Sequence, residues 1–157
     1  MEYKYILNSN WNLWFHDKKK NWNISGYKNI IKFKYLEEIL YFINNYNKIG
    51  GLNYNHFILM RESIEPIWEH KLNRDGGCIS IKVEISKVLS FWNKLLVYLV
   101  SEKLPDSFDI NGLSLCIKNP NYSIIQIWLK NKNKNIIDYI YNNIDSNIIY
   151  KSYNCEY

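Results

Sequence analysis

Two tryptophans in this chain stand where an indole has little core to fill. Trp22 follows Asp17-Lys18-Lys19-Lys20-Asn21 and precedes Asn23, and Trp68 lies in Ile64-Glu65-Pro66-Ile67-Trp68-Glu69-His70 with a carboxylate beside it. An exposed indole in a polar loop usually waits for a ligand. Two of them brought together make a slot for a flat ring, and stacking one base on an aromatic is worth about 1–3 kcal/mol. A positive charge delocalised over that ring adds a cation–π attraction of about 0.5–2 kcal/mol. An ionised Glu69 beside the slot accepts two hydrogen bonds, from the N1–H and the 2-amino group of a guanine. Adenine lacks that donor pair and leaves the carboxylate unpaired, at a cost of about 1–3 kcal/mol. Methylation of guanine at N7 supplies the positive charge, so two tryptophans and a glutamate together specify 7-methylguanine. Spacing alone makes this a weak signature.

Other chemistry is harder to find. His16, His56 and His70 have no HxxxH or HExxH spacing, and no cysteine lies at a ligand interval from them, so no metal site is expected. There is no G-x-S-x-G, no glycine-rich phosphate loop and no nucleophile with an evident base. The histidines read as surface or partly buried structural residues. Glu37 and Glu38 read as a solvated pair favoured by a helix N-terminus. No catalytic residue and no cofactor is expected. Trp11 and Trp14, in a strand, and Trp92, on an apolar helix face, read as core packing.

The candidate loops need elements to hold them. Alternating apolar and polar residues predict strands over 11–16 and 27–34, a buried strand over 56–60, and further strands over 78–85, 112–118, 123–130 and 147–153. Helical spacing predicts helices over 36–47, from a Ser86 cap to about Glu102 with Val88, Leu89, Trp92, Leu95, Leu96 and Leu99 on one face, and near 134–145. Gly76-Gly77 and Asn119-Pro120-Asn121 mark turns. Pro66 forces an extended stretch before Trp68. The class is α+β, an antiparallel sheet with helices on one face.

The bulk properties suit this reading. A chain of 157 residues, 47% hydrophobic and 22% charged, can bury the core of one domain over 1–157 without metals or disulfides. Tyr, Asn, Ile and Lys are raised as in an AT-rich coding sequence, but six tryptophans run against that bias. The net charge of +5 suits a partner with a few phosphates and is too small for long duplexes, so no DNA partner is expected. Cys78, Cys116 and Cys155 read as reduced thiols, which implies a cytoplasmic (or nuclear) protein. The N-terminal residues do not read as a signal peptide, and no run of about 18 apolar residues spans a membrane.

Read whole, the ordered strings Trp11-Asn12-Leu13-Trp14-Phe15, Trp22, Ile64-Glu65-Pro66-Ile67-Trp68-Glu69, Gly76-Gly77, Phe91-Trp92 and Ile125-Gln126-Ile127-Trp128 resemble eukaryotic translation initiation factor 4E, the messenger-RNA cap-binding family. The resemblance runs from about Leu7 to Tyr153. It implies a curved antiparallel sheet of about eight strands with three helices on the convex face and the 7-methylguanosine cap on the concave one. It also implies that Trp22 and Trp68 stack the base, that Glu69 reads its edge, that the Trp68 main-chain N–H bonds O6, and that Trp128 touches the N7-methyl group.

Departures from the family pattern fall on the phosphates and the back surface. Lys118 stands at or near the family's phosphate-gripping arginine, but Asn121 and Ile124 stand where lysines are expected, and Cys78 replaces an arginine after the double glycine. Lys130 or the 18–20 lysine run are the candidates to assist Lys118. On the convex face, where the family docks a scaffold-protein helix, the corresponding surface reads as Tyr5-Ile6-Leu7, Leu36, Leu40, Lys94 and Val97. An indole is lost there and a positive charge replaces an acid, so the usual scaffold motif is expected to bind poorly. Three roles follow: an initiation factor delivering capped messages through a divergent scaffold, a cap-binding competitor or repressor, or an interaction module that has lost the cap.

Overall fold

The computed structural model describes residues 2, 4–49, 51 and 56–153. Seven strands are seen among them: β1 (Ile6–His16), β2 (Tyr27–Tyr35), β3 (His56–Arg61), β4 (Gly77–Glu84), β5 (Ile110–Ile117), β6 (Tyr122–Leu129) and β7 (Ile148–Ser152). All neighbours are antiparallel, in the order β2-β1-β3-β5-β6-β4-β7. These are the seven segments that the sequence predicts as strands; only the resemblance implied about eight. The first is longer than predicted, and its register against β2 shifts between Ile6 and Trp11 and again between Leu13 and Trp14. Such bulges bend and twist a strand, which suits an open, curved sheet.

Three helices, α1 (Leu36–Ile43), α2 (Ile85–Val100) and α3 (Lys134–Asn143), complete the fold. The Glu38 carboxylate accepts from the Lys34 and Tyr35 main-chain N–H groups at 2.7 and 3.0 Å, so it caps α1 and is not merely a solvated acid. That helix ends four residues before 47, because Asn44 and Asn45 turn their side chains back onto the carbonyls of Leu40 and Tyr41. The α2 cap is Glu84, without a side-chain bond, and Ser86 lies inside the first turn. Asn133 caps α3 by accepting from the Ile136 N–H at 3.0 Å.

The period of two decides what each sheet face buries. Trp11, Leu13, Leu59, Leu113, Leu115, Ile125, Ile127, Ile79 and Ile81 form one face, buried against Ile39, Phe42, Trp92, Leu95, Leu96, Leu99, Ile136 and Ile140 of the helices. Leu89, expected on the buried side of α2, is 45% exposed. The opposite, helix-free face carries a small second cluster of Ile58, Met60, Ile64 and Trp128, with Trp14, Tyr27, Leu72 and Tyr153 packed on it. Trp14 is therefore not a partner of Trp11 in the main core. They stand three positions apart, and an odd spacing puts them on opposite faces.

Candidate functional site

The helix-free face is crossed by two loops, each carrying one of the candidate tryptophans. In the first, β1 ends at His16, which is fully buried, and the chain turns through 17–26 into β2. His16 Nε2 donates to the Asn21 carbonyl at 2.7 Å. Gly26 closes the same turn from the other side: a Cβ there would lie 1.9 Å from the Asn21 carbonyl oxygen, so no other residue fits. The result presents Trp22 with 54% of its surface open and its ring stacked on His16, centroids 4.0 Å apart and planes inclined by 23°.

The second loop, residues 62–76, is a series of turns anchored at both ends. Ile64 and Pro66 are buried, Ile64 in the cluster with Trp128. Asn73, fully buried, donates from Nδ2 to the carbonyls of Glu65 and Ile67 at 3.0 and 2.8 Å. Its Oδ1 accepts from Asn111 Nδ2 of β5 at 2.9 Å, and the same Asn111 amide donates to the Leu72 carbonyl at 2.7 Å. This frame leaves Trp68 and Glu69 exposed at the crest, Trp68 by 51%.

Tyr27 links the two loops. Its ring packs on His16 with centroids 4.5 Å apart. Burial first, and then the negative charge of Glu69, push its hydroxyl up to about 12. Glu69 therefore lies within electrostatic reach of the group on which the Trp22 support rests. Below the loops, Trp128 is buried, its Nε1 donating to Ser114 Oγ at 3.1 Å and its ring 5.5 Å from that of Tyr153. Burial, followed by the neighbouring Cys78, raises the Tyr153 hydroxyl above its ordinary value.

Cations gather at one end. Antiparallel register aligns His16 with His56 and His56 with Cys116, so the Trp22 loop and the β5–β6 hairpin share an edge. Lys18 Nζ donates to the Ile117 carbonyl at 2.6 Å, next to the exposed Lys118. His56 feels both: burial, then the positive charge of His16, Lys118 and Lys18, hold its imidazole down at about 4. Lys130 stands at the other end of the hairpin, about 25 Å away along eight-residue strands, and does not join Lys118. Among the described residues no group of His, Cys, Asp and Glu could hold a metal ion.

A sheet open on one face, with two half-exposed indoles and a carboxylate on loops above a buried third indole, is now defined, and the sequence match decides its family. The model of the family described as eukaryotic initiation factor 4E matches residues 6–157. This chain belongs to the eukaryotic initiation factor 4E family. It is 28% identical over 142 residues to the initiation factor 4E homologue of Acanthamoeba polyphaga mimivirus, covering 74% of this chain and 52% of that protein. It is 30% identical over 139 residues to initiation factor 4E of Candida albicans, covering 80% and 64%. The chain thus spans between half and two thirds of the length of these relatives. Among solved structures it resembles Ascaris suum eIF4E-3 in complex with the m7G cap, with a TM-score of 0.81 at 22% identity over 98% of this chain and 93% of that one. Caenorhabditis elegans eIF4E-3, in complex with the 4E-binding protein Mextli and a cap analogue, gives 0.81 at 23% over 94% and 91%. At such identities these two establish the initiation factor 4E fold.

The convex face of this family member departs from expectation at one residue. Leu7 is buried with the main core and offers no surface, while Tyr5 and Ile6 before it are 64% and 69% exposed. Leu40 is exposed, Leu36 and Val97 are half-buried, and Lys94 is exposed with its Nζ 5.6 Å from the Tyr98 ring. On the concave side, sequence reasoning missed His16, His56, Tyr27, Asn73 and Asn111. The two histidines read as isolated residues, and only the register of β1 against β3 brings them together.

Proposed function

We propose that this chain binds the 7-methylguanosine cap of messenger RNA and acts in translation initiation. The observation that carries the reading is the pair of loop indoles, Trp22 and Trp68, each about half open above a concave face, with Glu69 beside the second. In this reading the methylated base enters between them, and Glu69 accepts from its N1–H and 2-amino group. The Trp68 main-chain N–H donates to O6. Trp128, fixed by Ser114, lies against the N7-methyl group. Lys118 and Lys18 face the triphosphate from the shared edge. Solved relatives of the same fold in complex with an m7G cap or cap analogue support this assignment.

The residues perform binding, not bond-breaking. A cationic base between two electron-rich indoles gains dispersion and cation–π attraction that the neutral base lacks. The carboxylate then restricts the slot to guanine. With two lysines where the family pattern has more cationic groups, binding should fall less steeply with salt than in relatives.

A second reading shares the cap and differs in its consequence. Lys94, exposed on α2, reverses the charge expected for the usual scaffold helix. That favours a competitor or repressor, or a factor with a dedicated partner. Retention on immobilised 7-methyl-GTP, released by 7-methyl-GTP and not by GTP, tests the shared claim. A chain that washes through unretained has only the fold, as an interaction module. Addition to a capped-message translation extract separates the roles, stimulation marking a factor and cap-dependent inhibition a competitor.

A further inference from the structure

The site places a buried aromatic ring behind one of the two stacking indoles, and nothing in the cap contacts themselves uses it. His16 is wholly enclosed at the end of β1. Its ring lies nearly parallel to Trp22 at 4.0 Å, while His56 meets the same indole edge-on at 6.0 Å and 69°. Tyr27 closes the remaining side of His16 at 4.5 Å. The Nε2–H of His16 also holds the carbonyl of Asn21, the residue before Trp22. The imidazole therefore fixes this tryptophan twice, by its ring and through the main chain. Its Nδ1 is buried without a hydrogen-bond partner among the described residues, so the hydrogen bond to the loop is made through Nε2–H.

An indole on a ten-residue surface loop would otherwise sample several rotamers, and each must be given up when a base stacks on it. A planar group behind it selects the rotamer in advance and leaves the far face for the ligand. We propose that His16 is a positioning residue for Trp22: its imidazole backs the indole and holds the opposite face ready for the base. This inference rests on the reading of Trp22 as a cap-stacking residue, and it adds that the slot is organised before ligand arrives. Stacked aromatic pairs contribute on a scale of a few-fold in equilibrium constants, so loss of the ring should weaken 7-methyl-GTP binding by about three- to ten-fold.

Two substitutions separate the ring from the hydrogen bond. His16→Phe keeps a planar backing and loses the donor, whereas His16→Gln keeps a donor and loses the ring. The full chain, labelled at the indole nitrogens, is compared by relaxation measurements without ligand, with the buried Trp92 indole as internal control. The expected result is a rigid Trp22 indole in the native chain and in H16F, a mobile one in H16Q, and an unchanged Trp92 in all three. Affinity for 7-methyl-GTP should follow the same order. A Trp22 indole as rigid in H16Q as in the native chain would overturn the proposal, and so would H16F behaving like H16Q. If one variant fails to fold, seen as loss of the Trp92 signal, the other still decides. A native chain that binds no 7-methyl-GTP removes the cap reading alone, because the ligand-free comparison continues to test the support of Trp22.

Discussion

Asn73 and Asn111, thirty-eight residues apart, share a buried hydrogen bond of 2.9 Å beneath the loop that carries Trp68 and Glu69. Between them their amides donate to the carbonyls of Glu65, Ile67 and Leu72, of which Ile67 also accepts from the His70 main-chain N–H at 3.3 Å. Rigidity at the crest of this loop is thus set by two amides at its base. Asn73→Ala should destabilise the chain by about 1–3 kcal/mol, the cost of stripping partners from buried polar groups. Urea unfolding measures that loss. Binding of 7-methyl-GTP should weaken in parallel, and a variant of native stability and affinity would remove Asn73 from the account.

In the proposed cap complex, Glu69 supplies the choice of base. Glu69→Ala should abolish the preference for guanine over adenine in otherwise identical cap analogues, while stacking persists. Competition titrations with 7-methyl-GTP and an adenine counterpart provide the comparison. Undiminished discrimination in the variant would sink the edge-reading role.

Gly26 is a steric requirement and not a flexible joint. A methyl group there would sit 1.9 Å from the Asn21 carbonyl oxygen, the atom that His16 holds. Gly26→Ala must therefore shift residues 21–26, with Trp22 among them. The expected outcome is a loss of 7-methyl-GTP affinity greater than the loss of thermal stability accounts for. Native affinity in G26A would mean that the loop geometry is not what presents Trp22.

His56 makes stability depend on pH. Its folded value of about 4, against an ordinary 6.5, means that the unfolded chain takes up a proton as pH falls through 6.5 while the folded chain does not until about 4. The stabilisation is fully present above pH 6.5 and is lost progressively as pH falls toward 4. Each unit of the shift is worth about 1.4 kcal/mol, so moving from pH 7.5 to pH 5 should cost about 2 kcal/mol through this residue. His56→Asn should lack that component. Urea unfolding of both chains at the two pH values checks it, and equal losses would show that His56 is not the sensor.

Much of this architecture is legible in the chain because several strands repeat one alternating signal and β3 shows an unbroken apolar run. Alternation such as Cys78-Ile79-Ser80-Ile81 states which side chains face the helices. Trp22, Trp68 and Glu69 stand out because their polar neighbours exclude a core role. What escapes is what depends on register or on distant pairing. His16 and His56 become neighbours only through antiparallel pairing, and Asn73 meets Asn111 only because a loop folds back over β5. Lys18 and Lys130 look equally suited to assist Lys118, yet the hairpin puts Lys130 at the wrong end. Helix ends slip for a local reason, since Asn44 and Asn45 offer carbonyl partners of their own and stop α1 early.

Cap binding through the two loop indoles is the central claim, and intrinsic tryptophan fluorescence tests it most directly. The native chain is titrated with 7-methyl-GTP and, separately, with GTP. Strong saturable quenching by 7-methyl-GTP, with GTP requiring much higher concentration, is the predicted result, because only the methylated base carries the charge that the indoles favour. Quenching by neither nucleotide, or equally by both, would contradict it.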